Sequence, residues 1–274
     1  MADLAPPPAP PPAAELTDAQ FERYARHLIL DEVGEAGQAK LLAARVLVIG
    51  AGGLGSPVAL YLAAAGVGTI GLVDCDTVDA TNLQRQIAHS HAAIGQRKVD
   101  SAAGTIARLD PAIRVETHDM KVGPGNVASL VAAYDLVVDG SDNFATRYLV
   151  HDACYFARKP LVSGALLRFE GQLSTFKAYD GKHSCYRCVF PEPPPAGLIP
   201  RCEEAGILGS VAGVIGTLQA TEVLKELLGL GTGLAGRLLI YDALETEFRR
   251  IAVPRDPGCA LCGTRPTIGP PRAA

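Results

Sequence analysis

Arg45-Val-Leu-Val-Ile-Gly-Ala-Gly-Gly-Leu-Gly55 is a short apolar run that leads directly into a glycine-rich turn, and this pattern is the strongest indication of the architecture of the chain. Gly50, Gly52 and Gly55 match the pattern Gly-x-Gly-x-x-Gly, in which the lack of side chains lets backbone N–H groups approach a phosphate at the start of a helix. Asp74 ends the next predicted strand, where its carboxylate would accept hydrogen bonds from ribose hydroxyls. These features predict a nucleotide site, although NAD, FAD and ATP all bind at such turns.

Strands and helices alternate around this turn, which is typical of a parallel sheet covered by helices. The predicted strands are residues 45–50, 69–74, 113–117, 135–139 and 160–163, and the predicted helices are residues 15–30, 55–65, 96–109 and 143–157. The pattern then changes, with antiparallel strands predicted at 169–178, 237–242 and 247–251 and a long buried helix at 207–228. The sequence therefore predicts an α/β fold with a Rossmann-like, mostly parallel sheet, helices on both faces and an antiparallel extension.

The organisation of the chain is expected to be simple. One domain is predicted over residues 15–263, with a nucleotide-binding half at about 45–165 and an antiparallel half at about 166–263. Residues 1–14 are rich in Pro and Ala and are expected to form a disordered tail, and residues 264–274 form a second tail.

Composition excludes several classes of function. The chain has 274 residues and a formal net charge of −4, which argues against general nucleic-acid binding. No apolar run reaches the roughly 18 residues of a membrane span, and the N-terminus lacks the basic and apolar regions of a signal peptide. Seven cysteines in this context fit a reducing compartment better than a disulfide scaffold. We therefore expect a cytoplasmic protein that binds neither nucleic acid nor membrane.

Two Cys-x-x-Cys pairs, Cys185 with Cys188 and Cys259 with Cys262, lie far apart in the chain. Two thiolates at this spacing can bind one metal ion from a single turn, and two such turns complete a tetrahedral Zn(Cys)₄ site. The alternative for either pair alone is a redox-active dithiol. Because a Cys₄ site has no open coordination position, we predict a zinc ion that stabilises the fold without chemistry. Of the remaining thiols, Cys75 and Cys154 are expected in the core.

Charged residues follow the glycine-rich turn in positions that suit a triphosphate. Arg85 and Lys98 would neutralise charge on a reacting phosphate and on a leaving pyrophosphate, whereas a dinucleotide needs no such pair. The alternative is that both are solvated surface charges. Asp142 follows the fourth predicted strand, at the sheet edge where α/β proteins bind ligands, and is a candidate ligand for Mg²⁺. A helix cap near Asn143 is the other interpretation of this position.

The motifs taken together carry a family resemblance. Gly-x-Gly-Gly-Leu-Gly, Asp-x-Asp-x-Val, Asn-Leu-x-Arg-Gln, Gly-x-x-Lys, Ser-Asp-Asn and the two Cys-x-x-Cys pairs occur in that order. In this set and order the chain resembles the ubiquitin-activating-like adenylyltransferases. Within them it is similar to the bacterial molybdopterin-synthase and ThiF-type sulfur-carrier adenylyltransferases. The resemblance covers roughly residues 17–263.

The resemblance implies a reaction. Members of the family use ATP and Mg²⁺ to adenylate the C-terminal glycine of a small ubiquitin-fold sulfur carrier that ends in Gly-Gly, and they release pyrophosphate. Residues 166–263 would bind the carrier, for which the small subunit of molybdopterin synthase is the first expectation. The implied nucleotide site consists of Gly50, Gly52, Gly53, Gly55, Asp74, Asp76, Thr81, Asn82, Leu83, Gln84, Arg85, Gln86, Lys98, Asp142 and Asn143.

Two further residues gain a role only through the resemblance. Arg26 matches an arginine that reaches the ATP site of the partner subunit, which implies a homodimer; without the family it would be a surface charge. Cys202, outside the metal pairs, matches a cysteine that takes part in thioester or persulfide chemistry in relatives. Its neighbours Arg201, Glu203 and Glu204 do not together favour a thiolate, so a dispensable thiol is the alternative.

Other functions stay open on the sequence alone. The same residues would serve a thiamine carrier or another sulfur carrier. An NAD(P)-dependent oxidoreductase with structural zinc is a more distant alternative, but it leaves Arg85 and Lys98 unexplained. A nucleotide-binding scaffold without activity would have no need of these two cations or of Asp142. No rhodanese-like sequence follows residue 263, so sulfur is expected from a separate donor, a rhodanese or a cysteine desulfurase.

Overall fold

The structure is a computed structural model that describes residues 15–195 and 205–272. The predicted tail at 1–14 and the candidate residue Cys202 lie outside the described residues. Within them, one sheet has the strand order β3-β2-β1-β4-β5-β6-β7-β8. The strands are β1 Arg45–Ile49, β2 Thr69–Asp74, β3 Arg114–Asp119, β4 Leu136–Asp139, β5 Leu161–Leu167, β6 Glu170–Phe176, β7 Arg237–Asp242 and β8 Glu247–Ala252.

The strand directions confirm the predicted fold class. β1 to β5 pair in parallel, and β6, β7 and β8 continue the sheet in antiparallel pairs. Ile49 at the end of β1 pairs with Val73 on one side and with Asp139 on the other. The carboxyl ends of β1, β2 and β4 therefore meet at one edge of the sheet, where ligands bind in open α/β folds.

Helices cover both faces of the sheet. They are α1 Asp18–Leu28, α2 Gly34–Ala43, α3 Gly55–Ala64, α4 Lys98–Leu109, α5 Val127–Ala132, α6 Phe144–Ala157, α7 Tyr186–Val189 and α8 Gly209–Leu228. Val46 and Val48 of β1 pack in one core with α3, α4 and α8, whereas Leu47 and Ile49 pack in a second core with α5 and α6. Burial on both faces explains why β1 is apolar from Val46 to Ile49.

The structure differs from the sequence prediction in several elements. α2 and α5 were not predicted, because α2 contains two glycines and has no apolar stripe and α5 is only six residues long. β5 continues past residue 163 to Leu167, since its end pairs with β6. The expected burial of Cys75 is wrong: it is exposed at the end of β2, while Cys154 is buried as predicted.

Candidate nucleotide and metal sites

The glycine-rich turn between β1 and α3 is too tight for side chains at two positions. Gly50 has a φ of +89°, which favours glycine. A Cβ atom on Gly55 would lie 1.8 Å from the Gly50 carbonyl oxygen. The turn also packs against the chain after β4, because a Cβ on Gly50 would lie 2.9 Å from the Gly140 oxygen. Four of the six residues from Gly50 to Gly55 are glycines and therefore leave the backbone N–H groups at the start of α3 uncovered by side chains, which suits an anion site at a helix N-terminus.

Asp74 organises this turn from the neighbouring strand. Its Oδ2 accepts a hydrogen bond from the Ala51 N–H at 2.8 Å, and its Oδ1 accepts one from the Asp76 N–H at 2.9 Å. A carboxylate has further lone pairs, so these bonds leave acceptor capacity for another donor. The ribose contact of Asp74 stays a prediction.

Residues 80–86 fold over the glycine-rich turn. A short 3₁₀ turn at Ala80–Asn82 is capped by Asp79, and Arg85 Nη1 donates to the Thr81 carbonyl at 3.1 Å. A Cβ atom on Gly53 would lie 3.5 Å from Arg85 Cγ, which places the arginine stem directly on the loop. The tertiary structure thus brings the cation predicted at position 85 onto the predicted phosphate-binding turn.

Two other members of this segment face neighbouring elements. A Cβ atom on Gly52 would lie 3.5 Å from Gln86 Nε2, so Gln86 also borders the turn. The Gln84 carbonyl packs against the start of α8, 2.2 Å from where a Cβ on Gly209 would lie. Thr81, Asn82 and Leu83 form the turn that positions Arg85 and Gln86.

Lys98 lies at the start of α4, on the same edge of the sheet. Its side chain is largely buried, and its Nζ forms an ion pair with Asp76 Oδ2 at 2.8 Å. The Asp76 carboxylate is itself mostly exposed. The ion pair with Asp76 fixes the ammonium group of Lys98 beside the turn.

Asp142 and Asn143 follow β4, and the structure separates their roles. Asn143 Oδ1 accepts from the Thr146 N–H at 2.9 Å and caps α6. Asp142 is exposed, with the Asn143 amide 3.5 Å from its Oδ1. The helix cap is therefore Asn143, and the carboxylate of Asp142 remains accessible at the ligand-binding edge.

A cavity beside Asn143 was missed by the sequence analysis. Its volume is about 390 Å³, within the range of small-molecule sites. It is lined by Lys121, Val122, Gly123, Pro124, Asn143, Ala145, Thr146 and Leu149. The sequence could have predicted this cavity from residues 121–124, which come just after β3. The carboxyl end of β3 lies at the same sheet edge as the carboxyl ends of β1 and β4.

Two buried polar atoms beside the turn have no hydrogen-bond partner among the described residues. They are Ser56 Oγ, in the first turn of α3, and Gln86 Oε1. Buried polar groups are almost always paired in native proteins, so unpaired ones point to a missing ligand or water. Ser56 was not singled out from the sequence.

Arg26 lies away from the turn of its own subunit. Tyr24, two residues before it on α1, donates to Asp110 at 3.1 Å and packs against Gly66. These contacts lie just beyond the C-terminal ends of α4 and α3, and α3 alone spans roughly 15 Å from the turn. The Arg26 side chain is exposed near the C-terminal end of α3, which is the end away from the turn. Within one chain, Arg26 therefore does not reach the predicted nucleotide site.

The four cysteines of the two Cys-x-x-Cys pairs converge, as predicted. Their sulfur atoms all lie within 4.8 Å of one another. Cys185 Sγ is 3.7 Å from Cys188 Sγ and 3.5 Å from Cys259 Sγ, and Cys188 Sγ is 3.4 Å from Cys262 Sγ. A tetrahedron with zinc–sulfur bonds of about 2.3 Å has edges of about 3.8 Å. The geometry therefore fits a closed Cys₄ metal site.

The environment of these thiols suits metal binding. Hydrogen bonding from Cys185 lowers the pKa of the Cys262 thiol, which favours a thiolate at this position. Burial raises the pKa of Cys188 to about 11. Metal binding requires thiolates, so protons would have to leave the other ligands as the ion enters.

A polar network ties this cluster to α6. His151 accepts from the Tyr186 N–H at 3.1 Å, and its Nδ1 lies 3.1 Å from Asp152 Oδ1. Asp152 also accepts two hydrogen bonds from Arg187, at 2.9 and 2.8 Å. The first Cys-x-x-Cys turn is thus fixed to the helix whose N-terminus follows Asp142.

The fold and the sites define an α/β protein with a glycine-rich turn of the kind found in nucleotide-binding proteins and a separate Cys₄ cluster. The chain belongs to the ThiF family, whose model matches residues 24–261. This membership confirms the resemblance that the motifs carried.

Named relatives match most of the chain. It is 52% identical over 259 residues to the adenylyltransferase and sulfurtransferase MOCS3 of Bos taurus. It is 51% identical over 253 residues to the probable adenylyltransferase/sulfurtransferase MoeZ of Mycobacterium tuberculosis. These alignments cover 94% and 92% of this chain but only 56% and 64% of the two relatives. A sulfur carrier protein adenylyltransferase of Thermus thermophilus is 47% identical, with 92% of this chain and 94% of that protein covered.

Solved structures show the same fold at lower sequence identity. The crystal structure of Escherichia coli MccB with MccA-N7isoASN superimposes with a TM-score of 0.77 and covers 88% of this chain and 75% of that one. The sequence identity is 22%, so this similarity concerns the fold alone.

Proposed function

We propose that the protein uses ATP to adenylate the C-terminal glycine of a small ubiquitin-fold sulfur-carrier protein. The observation that carries the proposal is Arg85 lying on Gly53 of the glycine-rich turn, with Lys98 fixed at the same edge. A triphosphate needs such cations, and relatives that are 47–52% identical are named as adenylyltransferases. The relatives' names also supply the substrate class, a sulfur carrier.

In this reaction a carboxylate oxygen of the carrier attacks the α-phosphorus of ATP. A phosphorus–oxygen bond to the carrier forms, the bond to the β-phosphate breaks, and pyrophosphate leaves with both electrons of that bond. The terminal carboxylate is ionised at neutral pH, so no general base is required. The protein has to align the two reactants and stabilise the charge that develops, which is the role proposed for Arg85 and Lys98.

The residues at the sheet edge fit the rest of the nucleotide. The cavity beside Asn143 has room for the base, and Ser56 Oγ and Gln86 Oε1 are buried polar atoms without a hydrogen-bond partner that a bound nucleotide or water could supply. The exposed Asp142 carboxylate is the residue that would hold Mg²⁺, which neutralises phosphate charge when bound. Asp74 is proposed for the ribose.

The Cys₄ cluster is proposed to hold Zn²⁺ as a structural ion. The sulfur separations of 3.4–3.7 Å fit its tetrahedral geometry, and four thiolates leave no open position for a substrate.

The particular carrier that the protein acts on is a separate part of the proposal. The small subunit of molybdopterin synthase is the first candidate, and a thiamine carrier or another sulfur carrier would use the same residues. A rhodanese or a cysteine desulfurase is proposed to supply sulfur to the acyl-adenylate. A chemical role for Cys202 stays a prediction from the resemblance.

No helix among residues 15–195 and 205–272 is long and apolar enough to cross a membrane. We propose a cytoplasmic location.

The proposal predicts carrier-dependent exchange of labelled pyrophosphate into ATP. The purified protein is incubated with Mg²⁺, ATP and each candidate Gly-Gly-ending carrier in turn. We expect exchange with one carrier and none with the same carrier lacking its terminal glycine, because the attacking carboxylate is then misplaced. Absence of exchange with every carrier, together with binding of NADH, would instead favour the oxidoreductase. ATP binding without exchange would favour a scaffold.

Arg26 is proposed to act in the partner's site of a homodimer, because it lies at the far end of α3 from its own turn. Mixing Arg26→Ala and Asp142→Ala subunits should restore about a quarter of the wild-type exchange rate. Half of the dimers are then mixed, and each has one site with both residues intact. If Arg26 acted within its own subunit, no mixed dimer would contain an intact site. No recovery after subunit exchange, verified with differently tagged subunits, would therefore contradict the proposal.

A further inference from the structure

His89 lies buried behind the glycine-rich turn and contacts its main chain. Its Nε2 lies 2.9 Å from the Ala51 carbonyl oxygen, and its Nδ1 lies 3.0 Å from Ser101 Oγ. His89 is 9% exposed and Ala51 is 2% exposed, so water has little access to these bonds. Neither the motifs nor the proposed reaction uses this residue.

The partners fix the state of the imidazole ring. A carbonyl oxygen only accepts, so Nε2 must carry a hydrogen and donate it to Ala51. In the neutral ring Nδ1 then accepts from the Ser101 hydroxyl. All three groups are paired in this arrangement without a charge, as a buried site requires.

These bonds connect the turn to α4. Ala51 is held on both sides, because its N–H donates to Asp74 and its carbonyl accepts from His89. Ser101 belongs to the same helix as Lys98, one turn further on. The phosphate-binding turn and the helix that carries its lysine are thereby joined through a single side chain.

We propose that neutral His89 is a positioning residue that holds the glycine-rich turn in its anion-binding conformation and in register with the first turn of α4. The inference rests on the proposed nucleotide site and adds to it a dependence on the protonation state of one buried ring. Protonation would turn Nδ1 into a donor, so the Ser101 hydroxyl would have to reverse and accept from it. It would also bury a positive charge near Lys98, and this cost would loosen the connection.

The charges around the ring support the neutral state at pH 7. Burial lowers the pKa of His89 below its ordinary value of 6.5, the Ala51 carbonyl opposes this shift, and Lys98 adds to it. Asp74 on β2 is the carboxylate that favours the charged ring. The pKa is thus lower in the folded than in the unfolded chain. The stability linked to this group is therefore unaffected above pH 6.5 and falls as the pH drops below it.

The test compares ATP binding by the wild-type protein and by His89→Gln from pH 8 to pH 5.5, with Mg²⁺ and without a carrier. The glutamine amide can donate to the Ala51 carbonyl but does not titrate. We expect the ratio of the Kd of His89→Gln to that of the wild type to fall as the pH is lowered, because only the wild-type turn loosens. Protonation of ATP affects both proteins and cancels in the ratio.

A second variant, His89→Leu, removes the donor at every pH and should raise the Kd for ATP about tenfold at pH 8. His91→Gln is the matched control, since His91 is exposed two residues away and should leave the pH dependence unchanged. Thermal melting checks that each variant is folded. If His89→Leu is unfolded, the pH dependence of His89→Gln tests the role of His89.

A ratio that stays constant between pH 8 and pH 5.5, with a folded His89→Leu variant that binds ATP as tightly as the wild type at pH 8, would overturn the proposal for His89. Failure of the wild-type protein to bind ATP at any pH would overturn the nucleotide site itself, and the inference with it. The two failures are therefore distinguished by the wild-type measurement alone.

Discussion

Replacing Arg85 by glutamine is expected to lower the rate of carrier-dependent ATP–pyrophosphate exchange by about 10²–10³-fold, the usual effect of losing one preorganised charge donor. The arginine stem lies 3.5 Å from the Cβ position of Gly53, and its guanidinium is held by the Thr81 carbonyl. The positive charge is thus placed on the phosphate-binding turn before ATP arrives. Glutamine keeps much of the side-chain length but carries no charge.

Arg108→Gln provides the matched control for this prediction. Arg108 lies in the last turn of α4, at the end of that helix away from Lys98, and its side chain is exposed. The same loss of charge there should change the exchange rate by less than about twofold, because exposed charges far from a site are largely screened. Equal effects of the two substitutions would indicate a general charge effect and contradict the role of Arg85. Steady-state kinetics should show the loss of Arg85 mainly in kcat.

Removal of the metal from the Cys₄ cluster is expected to have the largest effect on stability. The cluster connects the turn at Cys185 with the segment at Cys259, and these segments have a small apolar core of their own. Structural zinc sites contribute roughly 10–16 kcal/mol of apparent binding free energy in small peptides. Loss of even about 4 kcal/mol would lower the Tm of a chain of this size by roughly 8–16 °C. A chelator should therefore lower the Tm and expose the segments around the cysteines to proteases.

The same prediction can be tested by substitution. Cys259→Ser should lower the zinc content from one ion per chain and reduce the Tm, since serine is a poor ligand for zinc. Cys75→Ser is the matched control, because Cys75 is an exposed thiol outside the cluster and should retain both values. Metal analysis and thermal melting provide the measurements. A metal-free wild-type protein with an unchanged Tm would show that the ion does not stabilise the fold.

Much of the fold was predictable because it depends on local patterns. The apolar run of β1, the glycine-rich turn and the helix after it are consecutive in sequence, so one short stretch contains the whole unit. The Cys-x-x-Cys spacing similarly encodes each half of the Cys₄ cluster. By contrast, α2 was missed because its sequence lacks an apolar stripe, and its burial against α8 comes from contacts distant in the chain.

The fold class, the glycine-rich turn and the clustering of the four cysteines could be predicted from the sequence, because each depends on residues at fixed short spacing. The residues that surround that turn come from distant parts of the chain and are known only from the packing. The parallel strand order brings the ends of β1, β2 and β4 to one edge, where Arg85 packs on Gly53, Lys98 pairs with Asp76 and Asp142 is exposed. The burial of His89 against Ala51 and the distance of Arg26 from its own turn also arise from packing between segments far apart in the chain, which no local pattern encodes.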